Sequence, residues 1–204
     1  MLRFSKGSPL HEGRVGIFPG AFNPPTLAHT ALARAALEQH RLDQVVFLLP
    51  EQFPHKAYEG APFDERVAML QAAVGDDTAL AIASLDRGLF IDIARAFREE
   101  CGPGAELFLL CGKDAAERIV NWDYQDRPPF REQLEEFQML VASRDGEYAP
   151  PSDCARRIAL IELPASWDAC SASGVREAVA KGRPWRPWVA QGVADLIEKH
   201  RLYR

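Results

Sequence analysis

Short apolar and β-branched runs alternate with stretches of helical periodicity along almost the whole chain. This alternation restricts the fold to crossover units, in which parallel strands share one sheet and helices cover its faces. The reading is α/β: a Rossmann-like doubly wound parallel sheet flanked by helices, with a small C-terminal helical portion. Strands are expected at 14–18, 44–49, 78–84, 106–111, 137–143 and 157–163. Helices are expected at 26–40, 64–74, 91–100, 114–119, 130–136, 174–181 and 187–201. On the first helix Leu27, Ala31 and Ala35 share a face, with Ala28 and Leu32 beside them. The stretch 50–62, with three prolines, reads as a loop, and 144–151, with Asp145-Gly146 and Pro150-Pro151, as a flexible connection. A chain of 204 residues accommodates this as a single domain, 1–204, with a Rossmann-like core at 14–165 and the helical portion at 166–204.

Bulk properties narrow the function classes. A formal net charge of -5 argues against a sequence-independent polyanion binder, which needs a basic face to release counterions. Phosphate chemistry, if present, belongs in a local pocket, and no nucleic-acid partner is expected. Cys101, Cys111, Cys154 and Cys170 form no CxxC pair and have no His at metal-ligand spacing, so they read as reduced structural thiols. The first residues carry no apolar signal region, and runs such as 45–49 are too short to span a bilayer. A cytoplasmic location and no membrane partner are the expectation.

In an open α/β sheet, ligands bind beyond the carboxyl ends of the strands. The turn after the first strand, FPGAFNPPTLAH, is therefore the first candidate site. Gly20 lets a phosphate approach the backbone, and the turn feeds a helix N-terminus whose free N–H groups favour an anion. Thr26 and His29, three residues apart on the first helical turn, can address one phosphate. Taken alone, Thr26 reads equally as an ordinary N-cap and His29 as a surface or core residue. No G-x-G-x-x-G follows a strand, and Gly112-Lys113 has Leu107 where a Walker A motif needs its first Gly. Dehydrogenase and P-loop readings lose ground.

Several motifs stand in order along the chain. Phe18-Pro19-Gly20-Ala21-Phe22-Asn23-Pro24, then Thr26 and His29, resemble the G-x-F-x-P-x-(H/T)-x-x-H signature of nicotinate/nicotinamide mononucleotide adenylyltransferases. Phe53-Pro54-His55-Lys56 is similar to the family's P-P-H-K loop, Gly112-Lys113-Asp114 to its G-x-D, and Trp122 to its pyridine-facing Trp. Ser171-Ala172-Ser173-Gly174-Val175-Arg176 resembles its S-(S/A)-T-x-x-R motif, and Leu202-Tyr203-Arg204 its usual C-terminus.

The resemblance implies in-line attack of a mononucleotide phosphate on the α-phosphate of ATP, giving a dinucleotide and pyrophosphate in NAD biosynthesis, with no covalent intermediate. Such catalysis needs donors and cations in fixed positions. His29 would donate to the α-phosphate with Thr26 assisting, and Arg176, Ser171 and Ser173 would hold the β- and γ-phosphates. Gly20, Ala21, Phe22, Lys56, Gly112 and Asp114 would complete the ATP site, with Asp114 at the ribose. Asn23 and Trp122 would contact the pyridine mononucleotide. Mg²⁺ would be held mainly by the ATP phosphates, with no protein metal site. Each residue also has a plain structural reading: Ser173 as a helix cap, Arg176 and Lys56 as solvated charges, Asp114 as a cap and Trp122 as core. Trp185 and Trp188 are expected to dock the last helix.

Departures from the family pattern concern the acceptor. Thr26 stands where many members have His, Ala28 where they have Gly, and Pro19 where they have a second Gly. Leu89-Phe90-Ile91-Asp92-Ile93 lacks the hydroxyls of the nicotinate branch's Tyr-Thr-x-x-Thr-like stretch. Two alternatives therefore stay open: a related nucleotidyltransferase with a different phosphorylated acceptor, and a non-catalytic nucleotide-binding module.

Overall fold

The computed structural model describes residues 1–51, 60–86, 88–125, 127–143, 148–167 and 170–204. Among them one sheet contains β1 (Arg3–Lys6), β2 (Gly13–Pro19), β3 (Gln44–Pro50), β4 (Leu80–Leu85), β5 (Ala105–Gly112), β6 (Gln138–Ser143) and β7 (Ile158–Glu162). Its order is β1-β4-β3-β2-β5-β6-β7. β2 through β7 pair in parallel, and β1 joins the β4 edge antiparallel. The chain steps outward from β2 to β3 and β4, then returns across β2 to begin β5. The carboxyl ends of β2 and β5 therefore form the switch point, where an open α/β sheet leaves a crevice for a ligand.

The helices are α1 (Leu27–Gln39), α2 (Phe63–Val74), α3 (Phe90–Cys101), α4 (Lys113–Val120), α5 (Phe130–Gln133), α6 (Ala172–Ala180) and α7 (Gln191–Lys199). Every strand and helix expected from periodicity is present, most of them displaced by only one or two residues at an end. Three differences are larger. β1 was not anticipated: its four residues alternate exposed and half-buried positions, too short a signal to stand out. The helix expected at 130–136 stops at Gln133. The one expected at 187–201 divides into a 3₁₀ turn at Arg186–Trp188 and α7, because Val189 and Ala190 between them are extended.

Side chains alternate across the central strands. On β3, Val46 and Leu48 enter one core with Leu107 and Leu109 of β5. Val45, Phe47 and Leu49 enter the other with Phe108 and Leu110. Both faces are covered, so these strands read as continuous apolar runs. Burial of each large side chain contributes roughly 1.5–3 kcal/mol. On α1 the buried face is Leu32, Ala33 and Ala36, while Leu27, Ala31 and Ala35 are only half-buried. Alanine runs carry so little contrast that the apolar stripe was assigned too far round the helix, with Leu32 at its edge instead of within it. Beyond the sheet, Val175, Val193, Ala194 and Ile197 pack with Met69 of α2, and Trp185 and Trp188 lie against this cluster, docking α7 as expected.

Candidate active site

Three helices begin around one opening. α1 follows β2, α4 follows β5 directly, and α6 follows β7. Their N-terminal residues Ala28 and His29, Lys113 and Asp114, and Ala172 with Ser171 line a cavity of about 530 Å³ floored by Phe18 and Ala142. The first-turn amides of a helix lack internal partners, and its dipole adds a partial positive charge. Convergence of three such ends on one cavity makes an anion site without any net basic surface.

His29 is fixed within this opening. The Thr26 backbone N–H donates to His29 Nδ1 at 2.9 Å. An amide can only donate, so Nδ1 is the unprotonated nitrogen and Nε2 carries the proton. The Thr26 hydroxyl, 2.8 Å from Nδ1, must then donate as well. Thr26 is fully buried at the α1 N-cap. The three-residue spacing thus brings the two side chains to each other, with Thr26 setting the tautomer and His29 facing the cavity. Phe22 and Phe18 pack on the imidazole, with ring centroids 5.3 and 6.0 Å away. Burial lowers the His29 pKa from 6.5 to about 4. The ring is therefore a neutral Nε2–H donor at physiological pH.

This shift has a stability consequence. Between about pH 4 and 6.5 the unfolded chain binds a proton on this imidazole that the native chain does not. Native stability therefore falls as pH drops from 6.5 towards 4, by on the order of 3 kcal/mol, and levels off below. Urea unfolding across this window should show the extra slope in the wild type and its loss in His29→Ala; parallel curves would contradict the assignment.

The turn itself is held by close packing. A Cβ on Gly20 would sit 2.8 Å from the Phe22 ring. The space a side chain would need at this position is thus filled by an aromatic ring. Phe22 is buried with a φ of 44°, and the Asn23-Pro24 peptide is cis. The Ala21 carbonyl accepts from Arg66 Nη1 at 3.2 Å. Asn23 is buried, and its Oδ1 accepts from the Ala61 N–H at 3.1 Å and the Tyr203 hydroxyl at 2.7 Å. Asn23 lines neither this cavity nor the one beside it.

Ser171 caps α6, its Oγ accepting from the Gly174 N–H at 3.1 Å. Ser173 therefore lies inside the helix, its Oγ 3.3 Å from that of Ser171. Arg176 donates through Nη1 to the Asn23 carbonyl at 2.7 Å and is not among the cavity-lining residues, so it joins α6 to the β2–α1 turn. Gly112 is the α4 N-cap, and a Cβ there would meet open space. Asp114 lies between the main cavity and a second one of about 690 Å³, lined also by Glu117, Arg118, Asn121 and Trp122. Trp122 is 43% exposed, so it is not core. Lys56 and His55 lie outside the described residues, as do residues 144–147 of the expected flexible connection.

Two cations at the cavity, Lys113 and Arg118, were not singled out from the sequence. Lys113 occupied the variable position of G-x-D. Arg118, one turn beyond Asp114 and donating to its carbonyl at 3.1 Å, follows from helical spacing once Asp114 is placed. The segment 89–93 forms the start of α3: Phe90, Ile91 and Ile93 enter the core, and buried Asp92 pairs with Arg127. Among the described residues no three His, Cys, Asp or Glu side chains gather as metal ligands, and no helix is long and apolar enough to cross a membrane.

A family model described as cytidylyltransferase-like matches residues 17–178. A protein of Stenotrophomonas maltophilia named probable nicotinate-nucleotide adenylyltransferase is 33% identical, over 92% of this chain and 95% of its own length. One of the same name from Thermus thermophilus is 32% identical, over 94% and 100%. Among solved structures, the Plasmodium falciparum nicotinic acid mononucleotide adenylyltransferase complexed with NaAD superposes with a TM-score of 0.73 at 17% identity, over 93% of this chain and 97% of that one. That likeness carries the fold. The family match over most of the chain, together with relatives above 30% identity along nine-tenths of it, establishes that this protein belongs to the nicotinate-nucleotide adenylyltransferases of the cytidylyltransferase-like family and is a nucleotidyltransferase.

Proposed function

We propose that the chain transfers the adenylyl group of ATP to nicotinate mononucleotide, or its nicotinamide counterpart, in NAD biosynthesis. The observation that carries this reading is the cavity where three helix N-termini, Lys113, Arg118 and a neutral His29 meet. A phosphate oxygen of the mononucleotide forms a bond to the α-phosphorus. The bond from that phosphorus to the oxygen bridging to the β-phosphate breaks, and its electrons leave with pyrophosphate. Charge rises on the α-phosphoryl oxygens, where the His29 Nε2–H donates and the helix ends add fixed dipoles. Lys113 and Arg118, with Ser171 and Ser173 at α6, support the remaining phosphates. Arg176 holds the turn.

Asp114 is an acceptor in an anion site, which suits a ribose hydroxyl better than a phosphate. Trp122, exposed at the adjoining cavity, offers its face to the pyridine ring. Mg²⁺ would neutralise phosphate charge, held mainly by the triphosphate and water. The protein acts where these substrates are made, in the cytoplasm.

The expected result with ATP labelled at the α-phosphate is label in the dinucleotide, and with ATP labelled at the γ-phosphate, label in pyrophosphate. Label from the γ position in the acceptor product would overturn the reaction type. The apolar start of α3 favours one second reading, a different phosphorylated acceptor. Under that reading, α-label enters a product only with phosphopantetheine or a sugar phosphate.

A further inference from the structure

We propose that Tyr203 is a positioning residue for adenylyl transfer, its hydroxyl acting through Asn23 to hold the turn that presents His29. The inference rests on the role given to His29 above. Asn23 is a node for segments far apart in sequence. Its Oδ1 receives the Tyr203 hydroxyl at 2.7 Å and the Ala61 N–H at 3.1 Å, and its carbonyl receives Arg176 Nη1 at 2.7 Å. With Asn23 only 4% exposed, losing one donor is not made good by water.

The Tyr203 end of this contact is built in as well. α7 packs on α2, His200 pairs with Glu65, and the Leu202 N–H donates to the Ile197 carbonyl at 3.0 Å. Tyr203 then takes a φ of 64°, a left-handed conformation that bulky residues rarely adopt. The strain is held by the surrounding contacts, and the hydroxyl turns inward to Asn23. Three residues beyond Asn23, the Thr26 N–H and hydroxyl hold His29 Nδ1. A shift of the turn therefore moves the two donors that set the imidazole tautomer. Sub-ångström misplacement of a donor aimed at a transition state lowers kcat more than it weakens ground-state binding.

The test is Tyr203→Phe, which keeps the ring and its packing and removes one oxygen. The expected result is a fall in kcat of about tenfold, with KM for ATP within about twofold and the melting temperature lowered by only a few degrees. In a His29→Ala background the same substitution should cause no further loss, because its effect runs through the imidazole. A purely structural role would give the same fold-loss in both backgrounds and would overturn the proposal, as would full activity of Tyr203→Phe. A second readout does not depend on turnover: imidazole ¹⁵N shifts at neutral pH should report a pure Nε2–H form in the wild type and a mixed tautomer in Tyr203→Phe. If the wild type is inert with every mononucleotide, the functional reading fails. The ring spectrum then decides this inference alone: a changed tautomer supports the Tyr203–Asn23–His29 link, and an unchanged one overturns it.

Discussion

His29→Ala is expected to lower kcat for adenylyl transfer by about 10²–10³-fold while leaving the affinity for ATP within a few-fold and the fold intact. The asymmetry follows from the site. On the proposed function, ATP would meet many groups at once: the first-turn amides of α1, α4 and α6, with Lys113 and Arg118 at the same cavity. Loss of one neutral donor subtracts little from that sum. The Nε2–H matters most when charge accumulates on the α-phosphoryl oxygens, and a preorganised donor is then worth several times its ground-state contribution. Folding survives because the imidazole is only half-buried and lines the cavity. Isothermal titration with a non-hydrolysable ATP analogue and steady-state kinetics check the two halves separately. Equal losses in binding and turnover would mean that His29 is only a ground-state contact.

Gly60→Ala is expected to destabilise the protein by roughly 2–4 kcal/mol and to depress turnover at the same time. A Cβ there would lie 1.8 Å from Asn23 Nδ2 and 2.7 Å from Asn23 Cγ, and Gly60 itself has a φ of 147°. The overlap is with a buried side chain held from two directions, so relief requires expelling the Asn23 carboxamide and breaking its bonds to Ala61 and Tyr203. Gly102→Ala is the natural control. Gly102 also has a positive φ, of 77°, but a Cβ would meet nothing within 4 Å. It should cost about 1 kcal/mol through backbone strain alone and leave kcat unchanged. Urea unfolding and kcat on the pair check the prediction; equal effects of the two substitutions would contradict the packing described around Asn23.

What the sequence made legible was local. Val45 to Leu49 announces a strand buried on both faces, and the Gly/Pro turn between β2 and α1 marks the crevice, because periodicity and turn chemistry are written within a few residues. Thr26 and His29 were legible as a pair by spacing, yet their contact with each other was not, since spacing fixes a face and not a hydrogen-bond direction. Asn23 was legible as part of the turn motif, but the engagement of its acceptors by Ala61, Arg176 and Tyr203, partners up to 180 positions away, was not. Contacts at that separation leave no trace in a local pattern. β1 was missed for a related reason: a four-residue edge strand is defined by β4 beside it more than by its own composition. The packing of the Phe22 ring against Gly20 was not legible because that ring is placed by an unusual backbone conformation.

The most direct measurement is pyrophosphate release by the purified protein with ATP and Mg²⁺, comparing nicotinate mononucleotide, nicotinamide mononucleotide and no acceptor. The account predicts release that depends on a pyridine mononucleotide, accompanied by the corresponding dinucleotide, and a fall of at least a hundredfold in His29→Ala. Absence of release with both mononucleotides from protein that still binds ATP would contradict it.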